Sequence, residues 1–334
     1  MFNTSLNVTL HESLKVTATF FTIITIVLAS LTILFGLTIL FRLIYCRRLQ
    51  KCSSKNDSRR IGVLHSMNTY IHIIGETSIF LIMSTRTLYG DLYLHIKEES
   101  APSWHCRLLN YLMSMFAAGI YGSCFVHAVF RYWRIMKPHR RLYRTFSFHL
   151  QLIFLHIIYI IVISIPVWFR AIYLSSENYC LNHFNDTWIS IYISITATVL
   201  PIFGIVIVHF KIVMYMKQNW QSRKRWKRME RDLLMIKRLL LVVVVLSNTS
   251  GAAILLWLLM YIQKFLHPLS YRLLCFIIEI GMLICSITLL IVSPQLRRAL
   301  GSTALYKQHS DSNNTINNNK IGKLENESWK SNQV

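Results

Sequence analysis

The chain has 334 residues, of which 54% are hydrophobic and only 15% are charged, and its mean hydropathy is +0.42. A soluble domain carries about a quarter of its residues as Asp, Glu, Lys and Arg, so this composition excludes an ordinary soluble fold and favours a membrane protein. The net charge of +22 would suggest a nucleic-acid-binding protein if the basic residues formed one patch, but they lie between apolar runs along the chain.

Seven apolar runs follow one another, and each is long enough, at about 1.5 Å per residue, to cross a hydrocarbon layer of about 30 Å. They cover residues 16–45, 61–88, 106–130, 148–174, 188–216, 233–262 and 271–292. Because an unpaired backbone polar group is costly in lipid, each run is predicted to be a helix with at most local distortions. The predicted fold is therefore an all-α membrane protein with a bundle of seven transmembrane helices.

The runs also predict how the chain is organised. An extracellular N-terminus (1–15) precedes the seven-helix domain (16–300), and the last part of that domain is a short amphipathic helix after the seventh span. The remaining residues, 301–334, are polar and rich in Asn and Ser. They cannot bury a core, so we expect a disordered cytoplasmic tail.

The connecting loops predict the orientation in the membrane. If the N-terminus is extracellular, 29 of the 36 Lys and Arg residues lie on the cytoplasmic side, which is a strong positive-inside signal. The glycosylation acceptor motifs at Asn3, Asn7 and Asn185 then all lie outside. We therefore expect a multi-pass plasma-membrane protein with a cytoplasmic C-terminus.

Two of the seven cysteines, Cys106 and Cys180, lie in the predicted oxidising compartment. A disulfide between them is the default inference, and two free thiols are the alternative. Arg131 follows Cys106 by 25 residues, or about 37 Å of helix. The two residues are therefore predicted at opposite faces of the membrane.

These features resemble the class A (rhodopsin-like) G-protein-coupled receptors. In that family the third helix has a disulfide cysteine at its outer end, here Cys106, and a D/E-R-Y triplet at its inner end, here Phe130-Arg131-Tyr132. The family's partner cysteine matches Cys180. Weaker matches are Pro166, Pro201 and the segment 293–300, which reads SPQLRRAL like the turn into the family's amphipathic helix.

The departures from the family pattern concern the signalling machinery. Phe130 replaces the acid that pairs with the neighbouring arginine in the family, so a higher basal activity is expected. The sixth run reads LSNTSGAAILLW where the family has C-W-x-P, and Cys285 begins the stretch aligned with N-P-x-x-Y. The fold prediction does not depend on these motifs.

Two acids, Glu76 and Glu279, lie inside predicted spans, where ionisable groups are expensive and often functional. In a bundle of the resembled type their helices are neighbours, so the pair is predicted to contact a cationic ligand, a sodium ion or a proton. The alternative is a neutral glutamate hydrogen-bonded to a Thr, a Ser or His72, which lies four residues before Glu76 on the same helix face. The seventh run has no lysine for a retinal Schiff base, which argues against a light receptor.

Aromatic side chains and histidines also occur in the apolar runs. Trp188 and Tyr192 are predicted to belong to the interfacial aromatic belt, or else to line a ligand pocket. His127, His156 and His209 lack metal-ligand spacing and are predicted to be interhelical hydrogen-bond partners. No metal or cofactor is expected.

The resemblance implies a cell-surface receptor that binds a peptide or amine-like ligand and activates a heterotrimeric G protein through Arg131 and Tyr132. The basic segment 220–240 would contact anionic lipid, the G protein or both. No catalytic motif is present, so the protein is not expected to be an enzyme. The alternative functions are a transporter or channel that uses Glu76 and Glu279, and a receptor-shaped scaffold that does not signal.

Overall fold

The computed structural model describes residues 2–50, 57–93, 104–137, 145–174, 179–182, 186–218, 240–252 and 269–292, together with positions 140, 143, 254–256, 258–259 and 262. Four helices open the chain. They are α1 (Phe2–Gln50), α2 (Asp57–Tyr93), α3 (Trp104–Met136) and α4 (Phe146–Arg170).

An antiparallel hairpin of two short strands follows α4. Strand β1 (Ala171–Leu174) pairs with β2 (Tyr179–Asn182), so that Ala171 lies opposite Asn182 and Tyr173 opposite Cys180. The hairpin packs against α3, and β2 also contacts α2. We call the end of the bundle that the hairpin covers the Cys106 end, and the opposite end the Arg131 end.

Three further helices complete the described part of the chain. Helix α5 consists of an α-helical segment (Thr187–Ile193), a π-helical turn (Ser194–Val199) and a second α-helical segment (Leu200–Gln218). The π-helical turn stops just before Pro201, whose ring removes one backbone donor and changes the local hydrogen-bond register. Helix α6 is an apolar helix over Leu240–Leu256, and α7 spans Ser270–Val292.

Five helices are long and apolar enough to cross a membrane. They lie at Leu14–Tyr45, Trp104–Met136, Phe146–Arg170, Thr187–Tyr215 and Ser270–Ile291. These helices confirm the first, third, fourth, fifth and seventh predicted runs as apolar helices of membrane-spanning length. The second run forms a helix that is more polar, and the sixth is described from residue 240 onward.

Helix α2 tolerates its polarity because it lies inside the bundle. It packs against α1, α3, α4 and α7, and most of its side chains between residues 61 and 84 are buried. Few of its polar groups therefore face the outer surface of the bundle.

Side chains from six of the seven helices share one apolar core. Its buried members include Leu43 of α1, Ile73 of α2, Ile120 of α3, Ile205 of α5, Val242 of α6 and Met282 of α7. Helix α4 joins α3 and α5 through a smaller cluster around Ile160. Large apolar side chains such as Phe154 and Phe203 are exposed on the outside, which is the pattern of a helix bundle whose solvent is lipid.

One helix ends earlier than predicted. The fourth apolar run was predicted to be helical to residue 174, but the helix ends at Arg170 and Ala171–Leu174 form β1. A short apolar stretch does not distinguish a strand from a helix by its composition, and here the partner β2 provides the backbone hydrogen bonds.

Candidate functional site

The two predicted intramembrane acids are both buried inside the bundle. Glu76 of α2 is 3% exposed and Glu279 of α7 is fully buried. Helices α2 and α7, which carry them, pack against each other. Among the described residues, Oε2 of Glu76 and both carboxyl oxygens of Glu279 have no hydrogen-bond partner. Both acids are therefore buried on helices that pack against each other, and three of their four carboxyl oxygens have no hydrogen-bond partner in the described chain.

Two buried histidines lie one turn along α2 from the acids. The rings of His72 (α2) and His156 (α4) meet edge to face with their centroids 5.6 Å apart. None of their four ring nitrogens has a hydrogen-bond partner in the described part of the chain. The predicted hydrogen bond between His72 and Glu76 is therefore not formed there, and neither is the predicted interhelical bond of His156.

Helix α3 makes room for both histidine rings through two glycines. A Cβ atom on Gly119 would overlap the ring of His72, and one on Gly122 would overlap the ring of His156. Any larger residue at either position would have to displace an imidazole or separate the helices. The two histidine rings can occupy these positions only because residues 119 and 122 are glycines.

A second histidine pair lies two turns nearer the Arg131 end. Nε2 of His65 (α2) is 3.3 Å from Nδ1 of His149 (α4), and Nε2 of His149 is 3.0 Å from the carbonyl oxygen of Tyr143. Since that carbonyl only accepts, a neutral His149 donates to it from Nε2 and accepts from His65 at Nδ1. Both tautomers are fixed by this chain of two hydrogen bonds.

His65 and His149 were missed by the sequence analysis. The available signal was a repeated spacing: His65 and His72 are seven residues apart on α2, as are His149 and His156 on α4. Seven residues are close to two helical turns, so each helix presents both of its histidines on one face. Two neighbouring helices that share this spacing can therefore form two histidine pairs, two helical turns apart.

Arg131 lies next to this second pair. Its Nη2 is 3.5 Å from Nε2 of His127, one turn earlier in α3, and the His127 ring stacks on His65 with centroids 5.7 Å apart. Phe130 is buried and packs edge to face on His149. The residue that replaces the expected acid therefore fills a cluster of imidazoles.

The other predicted residues at this end have simpler surroundings. Tyr132 packs against the buried Ile212 of α5. Nδ1 of His209 is 2.9 Å from the carbonyl oxygen of Ile205, one turn earlier in the same helix.

A buried ion pair joins α2 and α7 at the Cys106 end. Arg272 contacts both carboxyl oxygens of Asp91, at 2.5 and 3.0 Å, and its Nη1 is 3.2 Å from Oγ1 of Thr22 in α1. Both charged side chains are only 8% exposed. Asp91 was missed because it lies beyond the end of the second apolar run. The only signal was the position of Arg272 at the start of the seventh run, where a charge needs a partner.

A second cross-link between α2 and α7 lies on the other side of the acids. The hydroxyl of Tyr70 donates to the carbonyl oxygen of Ser286 at 2.8 Å, and the Tyr70 side chain is fully buried. Glu279 lies seven residues from Arg272 and seven from Ser286 along α7. The buried acids are therefore held between two fixed contacts.

Replacing Tyr70 with phenylalanine should lower the free energy of unfolding by about 1 kcal/mol, because a buried hydroxyl donor is lost while the ring still packs. Denaturant unfolding in detergent micelles measures this loss. Tyr111→Phe is the matched control, because its hydroxyl also donates to a helix carbonyl, that of Ile161 at 3.2 Å, but in an exposed position. A cost for Tyr111→Phe equal to that of Tyr70→Phe would contradict a specific role for the α2–α7 contact.

Trp188 and Tyr192 lie away from the buried acids. Their rings stack with centroids 5.3 Å apart and planes 8° from parallel. Trp188 is 60% exposed, and the Tyr192 hydroxyl donates to the carbonyl oxygen of Ile163 in α4 at 3.1 Å. This arrangement is typical of an aromatic side chain at the edge of a membrane.

Several predicted sites fall at the limits of the described chain. Cys106 is buried at the start of α3, and Cys180 lies in β2. Asn3 and Asn7 lie in the first turns of α1. Asn185, the basic residues 220–239, the predicted amphipathic helix 293–300 and the tail 301–334 lie outside the described residues.

The described residues contain no group of three or more His, Cys, Asp or Glu side chains that is arranged to hold a metal ion. Comparison with known proteins found no family model that matches the chain and no curated protein that matches it significantly.

Proposed function

We propose that this chain is a cell-surface receptor that binds an extracellular ligand and activates a heterotrimeric G protein, with the seven-helix arrangement of the class A receptors. The observation that carries the proposal is the position of α3. This helix packs against α2, α4, α5 and the hairpin, and its two ends carry Cys106 and Arg131. A central helix in contact with so many elements can transmit a change at one end of the bundle to the other.

In this proposal the Cys106 end is extracellular and the Arg131 end cytoplasmic, as the distribution of Lys and Arg favours. Asn3, Asn7 and Asn185 then lie outside and are glycosylation candidates. A Cys106–Cys180 disulfide is supported by the packing of β2 against α3. Cys124 of α3 and Cys285 of α7, by contrast, are free thiols buried in the bundle.

The position of Arg131 near the end of α3 supports a coupling site there. Its neighbour Phe130 is 4% exposed and provides no counter-charge. A carboxylate in the place of Phe130 would hold the arginine far more strongly. Since Phe130 replaces the acid that the resembled family has next to this arginine, we propose that Arg131 and Tyr132 contact the G protein and that the receptor has substantial activity without ligand.

Ligand-independent signalling provides the test. In cells that express the full chain, Arg131→Ala should reduce basal nucleotide exchange on G proteins at least about tenfold, since the proposed contact is charged and specific. Arg134→Ala is the matched control, because Arg134 lies three residues later on α3 and is exposed. Equal signalling by the wild type and the Arg131 variant, at equal surface expression, would contradict the proposal.

A second candidate function is a transporter or channel, and the unpaired buried carboxyls of Glu76 and Glu279 favour it. Ion flux measured in the same cells separates the two functions. Flux that is lost in Glu279→Gln, without any G-protein response in the wild type, would favour the transporter.

A further inference from the structure

We propose that the end of α3 and the start of α4 form a binding surface for the phosphate group of an anionic phospholipid, with Arg60, Lys137 and Arg140 as its cationic side chains. The inference goes beyond the proposed function, because it concerns the lipid around the bundle and holds whether or not the chain activates a G protein. It rests on the contacts of these cations with aromatic rings and on the exposed outer face of α4.

Three aromatic rings form a platform at the Arg131 end of the bundle. Trp133 near the end of α3 stacks on Tyr143 with the ring centroids 4.9 Å apart. Phe148 of α4 packs against both rings, at 5.3 Å from Trp133 and 5.5 Å from Tyr143. The carbonyl oxygen of Tyr143 also accepts the hydrogen bond from His149 at 3.0 Å. Tyr143 is therefore fixed through both its ring and its backbone, although it lies between two helices.

Two cations lie over aromatic rings at this end. Nζ of Lys137 is 5.9 Å from the ring centroid of Tyr143, and the guanidinium carbon of Arg60 is 5.6 Å from that of Phe146. The attraction of the ring face positions a cation without using its N–H donors, which suit phosphate oxygens. The backbone N–H of Arg140 donates to the carbonyl oxygen of Lys137 at 3.3 Å, so these two cations lie on one turn of the chain.

The described acids lie elsewhere in the bundle. Of the four acids whose side chains are described, two form ion pairs at the Cys106 end and the other two are the buried Glu76 and Glu279. At the Arg131 end, by contrast, Arg134, Lys137 and Arg140 are exposed. A basic residue near a membrane surface strengthens the binding of anionic lipid about fivefold. This end of the bundle therefore has the charge that an anionic headgroup requires.

The outer face of α4 favours a lipid over a protein as the partner. Phe146, Leu150 and Phe154 follow one another at a spacing of four residues, so they lie on one face of the helix. Leu150 is 51% and Phe154 is 65% exposed, as expected of side chains that face acyl chains. Because Arg60 lies over Phe146, its charge is at the rim of this apolar face. A phospholipid whose chains cover Leu150 and Phe154 places its phosphate at the same rim.

Native mass spectrometry of the full chain in a neutral detergent tests the surface. The two probes are phosphatidylserine and phosphatidylcholine, which differ in net charge. We expect the wild type to bind phosphatidylserine at least about tenfold more tightly, and Lys137→Gln/Arg140→Gln should reduce this preference at least about fivefold. Adding Arg60→Gln should abolish what remains. Equal binding of the two lipids by the wild type, or an unchanged preference in the double variant, overturns the proposal.

The matched control is Lys211→Gln/Lys217→Gln, which removes the same charge from two exposed lysines of α5. This variant should keep the preference of the wild type within about twofold, because a local site does not use those lysines. Circular dichroism in the same detergent checks that each variant keeps its helix content. A loss in the control as large as that in Lys137→Gln/Arg140→Gln shows a diffuse charge effect and overturns the proposal.

The soluble headgroup glycerophosphoserine distinguishes a lipid site from a site for a free anion. Since it lacks the acyl chains that cover Leu150 and Phe154, an excess of it should not displace phosphatidylserine. Displacement at equal concentrations overturns the proposal.

The signalling test separates this inference from the proposed function. No lipid preference together with Arg131-dependent signalling contradicts only this inference, whereas a preference without such signalling contradicts only the proposed function. If Lys137→Gln/Arg140→Gln keeps the lipid preference and loses signalling, the surface belongs to the G protein and the inference is wrong.

Discussion

Replacing Arg272 with glutamine should lower the free energy of unfolding by about 3–5 kcal/mol, which is the usual cost of removing one partner of a buried ion pair. Asp91 and Arg272 are each 8% exposed and share two hydrogen bonds. Without the guanidinium, the carboxylate of Asp91 stays buried and uncompensated, and Thr22 loses a donor. Chemical unfolding in detergent micelles, followed by circular dichroism, measures the loss.

Arg170→Gln is the matched control for this prediction. Arg170 also pairs with an aspartate, Asp186 at 3.4 Å, but its side chain is 59% exposed, so the change should cost less than about 1 kcal/mol. Replacing both Asp91 and Arg272 with leucine should recover most of the stability, because neither charge is then left alone. If Arg272→Gln costs no more than Arg170→Gln, the pair does not hold α2 and α7 together.

Replacing Gly119 with alanine should cost about 1–3 kcal/mol, the usual range for an extra group in a packed interior. The added methyl group would overlap the imidazole of His72, which is 4% exposed. Gly122→Ala should have a similar cost through His156. Thermal unfolding of the purified variants in one detergent compares these costs directly.

Gly251 on α6 provides the control for both glycine changes. No other atom of the described residues, outside its own helix backbone, lies within 4 Å of a Cβ placed there, so Gly251→Ala should stabilise the helix by about 0.5–1 kcal/mol. The double variant Gly119→Ala/His72→Ala should be more stable than Gly119→Ala alone, because the clashing ring is removed. A Gly119→Ala variant that is as stable as Gly251→Ala would show that His72 has room to move.

Hydropathy predicted the five most apolar helices well, because long apolar runs depend on composition and hardly on tertiary contacts. The limits of the third run, 106–130, fall inside α3 at Trp104–Met136. The end of the fourth run was wrong because the pairing of β1 with β2 is a contact between residues distant in sequence. The polar side chains of α2 are explained by its packing against α1, α3, α4 and α7, which the sequence alone does not reveal.

The candidate site was predictable in part. Glu76 and Glu279 stood out because acids are rare in apolar runs, and the structure buries both on helices that pack against each other. The pairing of His65 with His149 and of His72 with His156 was not predicted, because it depends on the register between α2 and α4. Asp91 was overlooked because it lies beyond the second apolar run, and only the packing of α7 shows that Arg272 reaches it.

The burial of polar α2 has a consequence for how the protein is made. A segment with this many histidines and hydroxyl groups enters a bilayer poorly alone, because each unpaired polar group in lipid is costly. Helix α1, which precedes α2 and packs along it, is far more apolar. During biosynthesis we therefore expect α1 to insert first and to shield α2, so that the pair leaves the translocon as a helical hairpin and later helices assemble around it.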